Sequence, residues 1–189
     1  KLLTELRLKK ADITIQPQSA HPLDEWYGHV FTLYPRRKCV VFAHAGTMFC
    51  FFAMDVSRED INSIEAIFRQ RLRKALYDEH YPAEVIGIFN ERMKEIRVTS
   101  TLDRVMIGTI NRMVIDLGYF EGSDRRMMKN EAIMGAYFRR GCYLAFRGGP
   151  LKNMRDVLAQ LNEIKGMELP APLSDESISQ HFGVSSIYH

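Results

Sequence analysis

The chain has 189 residues, 46% of them hydrophobic and 26% charged, with 12 Gly and 7 Pro. A globule of this length buries roughly 70% of its extended-chain surface, so no disulfide or metal staple is required to close a core. The profile excludes a coiled coil, a collagen-like chain and wholesale disorder. With 26 Lys and Arg against 23 Asp and Glu, the formal charge of +3 is too small to imply nucleic acid by itself.

Residues 1–10 fit either a short helix or a strand: Leu2, Leu3, Leu6 and Leu8 alternate loosely, and Leu2, Leu3 and Leu6 also fit one helical stripe. A polar connection with Pro17, Ser19 and Pro22 follows. Val30, Phe31, Leu33 and Tyr34 predict a strand that ends at Pro35, and Cys39–Phe42 a central strand rich in β-branched residues. Ala45-Gly46 reads as a turn, and Thr47–Met54 as a third strand of an antiparallel meander. Ser57 and Asp60 resemble a capping box that opens a helix running through Tyr77, striped by Ile61, Ile64, Phe68, Leu72 and Leu76.

Pro82 at a first helical position predicts a short helix carrying Val85, Phe89 and Met93. Ile96 and Val98 predict a fourth, short strand. Thr99, Ser100 or Thr101 then caps a helix with the stripe Leu102, Met106, Ile110, Met113 and Leu117, and Gly118 is placed to stop it. Ile133, Met134, Tyr137 and Phe138 predict another helix, and Arg147-Gly148-Gly149-Pro150 a firm interruption. Leu151–Lys165 is amphipathic, and a short helix is expected over Asp175–Phe182. The expectation is an α+β fold: an antiparallel sheet of about four strands packed on amphipathic helices. Residues 1–120 would form the core and 121–189 a helical extension packed on it.

Cys39, Cys50 and Cys142 are odd in number and show no Cys-x-x-Cys spacing, which suits buried free thiols in a reducing compartment. The longest apolar run, Met48–Met54, is far shorter than a membrane span requires, and no signal peptide is seen. These features predict a cytoplasmic protein without a membrane partner.

No complete reaction centre is legible, so the sequence leaves open whether the chain is an enzyme. The six histidines lack zinc spacing; His21, Asp24 and His29 are the nearest approach to a metal group, and no metal or other cofactor is expected. Glu91, Glu95 and Asp103 have no spacing that requires metal-assisted hydrolysis. Trp26, Tyr27 and Tyr34 beside basic residues fit no RNP-type pattern, and Trp26 reads better as a core anchor. Two basic features are candidate contacts for an anion. One is Arg36 and Arg37 at a strand start. The other is the helix start at Thr101, with Arg104 and Asn111 on one face beside Gly108.

Trp26-Tyr27, the run Arg36-Arg37-Lys38-Cys39-Val40-Val41-Phe42, Thr47, and Thr101, Arg104, Gly108 and Asn111 together resemble a bacterial domain family of unassigned function. The resemblance covers roughly residues 22–115. Family members often have serine after the arginine where this chain has Val105. It implies a small soluble bacterial domain, and it directs attention to Arg37, Arg104 and Asn111 as one polar centre.

Two functions compete. The first is a non-enzymatic interaction or regulatory module with a homo-oligomeric or protein partner, suited by amphipathic helices and 10 Met. The second is a protein or enzyme that binds a phosphate-containing ligand or nucleic acid through Arg36, Arg37, Thr101, Arg104 and Asn111.

Overall fold

The computed structural model describes residues 6, 21–33, 36–97, 99, 103–123, 129–140 and 150–169. Strands β1 (Trp26–Leu33), β2 (Arg37–His44) and β3 (Cys50–Ala53) form an antiparallel meander in the order β1-β2-β3. Helices α1 (Arg58–Asn62), α2 (Ile64–Asp78) and α3 (Ala83–Arg92) follow, then α4 (Arg104–Ser123), α5 (Glu131–Arg140) and α6 (Pro150–Ala159), with a 3-10 turn at Asn162–Ile164. The fold is therefore α+β.

Side chains alternate across a strand, so the register decides what each face buries. Leu33 pairs with Arg37 and Trp26 with His44; Val40 pairs with Ala53 and Ala43 with Cys50. One face presents Val30, Val40, Phe42, Phe51 and Ala53 to a core that includes Phe68, Leu72 and Leu76 of α2 and Val85 and Phe89 of α3. The other presents Tyr27, Phe31, Leu33, Cys39, Val41, Cys50 and Phe52 to Met106, Ile110, Met113 and Leu117 of α4 and Met134 and Phe138 of α5. The sheet is thus covered on both sides. That is why Cys39–Ala43 is apolar at every position rather than at alternate ones.

The capping box forms as expected: Asp60 N–H donates to Ser57 Oγ at 3.1 Å, and Ser57 N–H to the Asp60 carboxylate at 2.8 Å. The helix it opens is shorter than expected. Ser63, at φ −108° and ψ 33°, divides it into α1 and α2, while the buried stripe Ile61, Ile64, Phe68, Leu72 continues across the break. The third strand is limited to Cys50–Ala53, because Met48 adopts φ 59° in the preceding turn, where its N–H bonds the His44 carbonyl at 2.9 Å.

The expected fourth strand is absent among the described residues, since Ile96 and Arg97 join no ladder; Val98 lies outside them. Just before this segment the chain is held by a side chain instead. Arg69 on α2 donates to the Met93 carbonyl at 2.6 Å and the Lys94 carbonyl at 2.9 Å. Carbonyls at the end of α3 lack helical partners, and a guanidinium is suited to donate to both.

The start of α4 also differs. Asp103, not a hydroxyl residue, caps it: its carboxylate accepts from Val105 N–H at 2.9 Å and Met106 N–H at 3.1 Å. Ser100 and Thr101 lie outside the described residues. The helix then runs through Gly118 to Ser123. A Cβ built on Gly118 meets nothing within 4 Å. Gly118→Ala is therefore expected to raise stability by about 0.5–1 kcal/mol, because Gly in a helix interior carries excess chain entropy. Chemical denaturation measures it; a glycine acting as a left-handed stop would instead lose stability on this change.

Asn130 caps α5, its side-chain oxygen accepting from Ala132 N–H at 2.9 Å. The last expected helix begins at Pro150, a favoured first-turn residue, and ends at Ala159 rather than Lys165. Met154, Leu158 and Ile164 join the core on the α2 side of the sheet. The segment expected to be helical at Asp175–Phe182 lies outside the described residues, as does Cys142. No helix among the described residues is long and apolar enough to cross a membrane.

Candidate functional site

The candidate residues separate by element. Arg36 is exposed in the turn between β1 and β2, at φ 104°. Arg37 begins β2 and forms a bidentate pair with Asp55, Nε to Oδ1 at 2.6 Å and Nη2 to Oδ2 at 2.5 Å. The hydrogen bond that Arg37 donates to Asp55 pushes its guanidinium pKa above the ordinary value. The same bond holds the Asp55 carboxyl below the usual carboxylate range. Arg37 thus spends its fork on the chain itself. Arg104 and Asn111 lie on α4, and both are exposed. Thr101 lies outside the described residues.

Other polar groups go unmarked by the sequence. His44 is fully buried at the end of β2. One ring nitrogen, Nε2, lies 2.7 Å from the Pro22 carbonyl and the other, Nδ1, 2.9 Å from Thr47 Oγ1. A carbonyl only accepts, so Nε2 carries the proton and the Thr47 hydroxyl donates to Nδ1. Thr47 Oγ1 also accepts from Phe49 N–H at 3.1 Å. Burial lowers the imidazole pKa from 6.5 to about 4, against smaller opposing effects of the Pro22 carbonyl and Asp24. His44 is therefore a neutral clip between the segment before β1 and the β2–β3 turn.

A second buried set joins α5 to the rest. Arg139 Nε donates to the Glu79 carboxylate at 2.7 Å, and Nη1 to the Cys50 carbonyl at 2.9 Å. The guanidinium carbon sits 5.3 Å from the centre of the Phe49 ring. Near the other end of α5, Glu131 accepts from Met54 N–H at 2.7 Å and lies 3.0 Å from Arg71 Nε. Both clusters hold acidic and basic groups in intramolecular pairs.

Other residues singled out by the sequence are also accounted for within the chain. The Trp26 ring packs against His44, Phe51 and Phe68, with centroids 4.9, 5.6 and 5.4 Å away, and its Nε1–H donates to the Leu23 carbonyl. Asp24 takes two bonds from Arg92, at 2.8 and 3.0 Å. Cys39 and Cys50 are buried free thiols; burial pushes them up to about 11 and about 12, out of the range of a reactive thiolate.

The outward face of α4 is different in kind. Of the four large apolar side chains exposed among the described residues, Val105 (64%), Ile107 (40%) and Ile115 (53%) are on this helix, and the fourth is Tyr77 (73%). Arg104, Gly108, Asn111 and Arg112 are exposed among them. Arg112 reaches Asp116 one turn on, Nε to Oδ1 at 2.8 Å. A Cβ built on Gly108 meets nothing within 4 Å, so this glycine does not serve close packing within the chain. Single exposed apolar residues need no explanation, whereas contiguous apolar patches mark contact surfaces.

The fold and this face define a small α+β domain with a sheet sheathed on both sides and one helix turned partly apolar to the outside. The chain belongs to the family described as Domain of unknown function (DUF6933), which matches residues 1–140. The match takes in the sheet and helices α1 to α5. No curated protein and no solved structure matches the chain.

Proposed function

We propose that the domain is a non-enzymatic interaction module whose contact surface is the outward face of α4. The observation that carries this reading is the exposure of Val105, Ile107 and Ile115, three aliphatic side chains spread round the solvent side of a helix whose inner stripe is already buried. Aliphatic groups left in water on one element gain by covering that element with a partner. The buried, unreactive Cys39 and Cys50 fit a reducing, intracellular setting. Helices α5 and α6 supply Met134, Phe138, Met154 and Leu158 to the two cores, which supports reading residues 121–189 as an extension packed on the core at 1–120.

An anion at the start of α4 is the weaker reading. The Asp103 carboxylate already occupies the first-turn amides of Val105 and Met106, and it places negative charge where a phosphate would sit.

The test is a photo-crosslinking amino acid placed at Ile115, in the intact protein within cells that produce it. A discrete protein adduct is expected, and it should vanish when Val105→Asp is added. Label at an equivalent exposed site such as Tyr77 should give none of that adduct. No adduct at Ile115 would overturn the reading.

A further inference from the structure

We infer that α5 is a guard on the outer edge of the sheet. It stands beside β3 where a further strand would lie, and it keeps the same run of a second copy of the chain from pairing there. The device is separate from the α4 face and does not depend on it.

In an antiparallel ladder, alternate residues turn their backbone groups toward the neighbouring strand and the others turn away. His44 N–H donates to the Phe49 carbonyl, and Val56 N–H to the Lys38 carbonyl. With Phe42 opposite Phe51 and Val40 opposite Ala53, Phe51 and Ala53 bond β2. Cys50, Phe52 and Met54 therefore turn their N–H and C=O to the outer edge. No strand among the described residues pairs that edge. Side chains of α5 meet it instead. Arg139 Nη1 donates to the Cys50 carbonyl at 2.9 Å, and the Glu131 carboxylate accepts from Met54 N–H at 2.7 Å. The lengths agree: the rise from Glu131 to Arg139 along a helix is about 12 Å, and the span from Cys50 to Met54 along a strand is about 13 Å. Helix α5 thus runs beside β3 in the opposite direction and reaches both of its ends. Gly135 lies midway on the same face of α5, and a Cβ there would come 2.5 Å from Arg139 Nη1. The glycine lets the guanidinium lie between helix and strand edge.

Two charge pairs fix this helix in place. Glu131 lies 3.0 Å from Arg71 of α2, and Arg139 Nε donates at 2.7 Å to Glu79, which follows the end of α2. Arg71 and Glu79 are spaced as Glu131 and Arg139 are, with the signs reversed. Sliding α5 by one turn would lose both pairs, so the clamp sets a single register.

Behind the guard lies a segment prone to pair with itself. Met48–Met54 has three Phe and no charge, Pro or Gly. Runs of this kind associate with identical runs once their backbone is open. Covering the edge with a helix and charged side chains prevents it.

Fluorescence anisotropy on the whole chain tests this, with a labelled peptide of residues 47–55 carrying Cys50→Ser and added terminal lysines. The wild type should not bind it. Glu79→Leu with Arg139→Met takes the guanidinium off the Cys50 carbonyl without leaving a bare charge. Glu131→Ala frees the Met54 amide at the other end. Each variant, shown to be folded by near-UV circular dichroism, should bind the peptide roughly ten-fold more tightly than wild type, since main-chain hydrogen bonds supply the affinity of an added strand. The same peptide with its backbone amides methylated should not bind. Leu72→Ala loosens the core on the α2 side of the sheet and leaves the bonds of α5 in place, so it should bind no better than wild type. Binding by Leu72→Ala equal to that of the edge variants would trace the effect to lost stability and overturn the guard. So would binding that survives methylation, wild-type binding as tight as the variants', or no gain in either edge variant.

Discussion

Glu79→Ala is expected to cost about 3–5 kcal/mol of unfolding stability, because it strands a buried guanidinium without its counter-ion. Arg139 is 2% exposed and has its Nε on Glu79, its Nη1 on the Cys50 carbonyl and its flat face toward Phe49. Taking a charge out of water costs several kcal/mol, and here the carboxylate of Glu79 offsets that cost. The loss should appear as a fall in thermal midpoint of ~10 °C, given a few degrees per kcal/mol for a chain of this size. Removing both partners is gentler: Glu79→Leu with Arg139→Met leaves no unpaired charge and should recover most of the loss. A double-mutant cycle by urea denaturation measures this. Additive losses would show that the pair is not coupled.

Gly135 sharpens the same prediction. A Cβ at this position would come 2.5 Å from Arg139 Nη1. Glycine to alanine within a helix normally gains up to about 1 kcal/mol. Here the guanidinium cannot swing aside without giving up Glu79 or Cys50, so Gly135→Ala is expected to destabilise. In an Arg139→Met background the sign should revert. The glycine in α5 thus makes room for an arginine, while Gly118 in α4 only weakens its helix.

Those two glycines illustrate what was legible. Period and turn signals are local, so the meander of β1 to β3, the capping box at Ser57 and the stripe of α4 could be read from neighbouring residues. Gly118 also looked like a stop, because the stripe ends at Leu117. A glycine in a helix costs only about 1 kcal/mol, and the chain carries the helix past it. The fourth strand was inferred from Ile96 and Val98 alone, and β-propensity over so short a stretch yields to tertiary context. The buried polar groups left no local trace. His44 bonds a residue 22 positions away, and Arg139 bonds partners 60 and 89 positions away. Their one visible sign was a charged or titratable residue beside apolar runs, His44 after Cys39–Ala43 and Arg139 after Phe138. Of the candidate residues, Arg104 and Asn111 could be placed on one helix face from spacing. The partnership of Arg37 with Asp55 could not, since it closes across β2 and β3.

Acid should weaken the fold in a window set by His44 that opens above the ordinary carboxylate value. The folded pKa is lowered from 6.5 to about 4 by burial. Between those two values the unfolded chain binds a proton that the folded chain refuses, so stability falls as pH falls. Its contribution is fully present above pH 6.5 and is lost on going down to about 4. One proton changes stability by up to about 1.4 kcal/mol per pH unit, so the interval amounts to about 3 kcal/mol. Asp55 and Asp60 also have depressed values, from hydrogen bonds with Arg37 and Ser57, but they act below the ordinary carboxylate value of 3.8. The two effects are therefore separable by pH. His44→Gln keeps an amide donor for the Pro22 carbonyl and has nothing to titrate. It should be less stable than wild type at neutral pH, yet its stability should fall less between pH 6.5 and 4, by the share that His44 supplies. Urea denaturation of both proteins at half-unit steps gives the slopes directly. Equal slopes would mean that His44 takes up its proton in the folded chain as readily as in the unfolded one, and that the clip between Pro22 and Thr47 tolerates the charge.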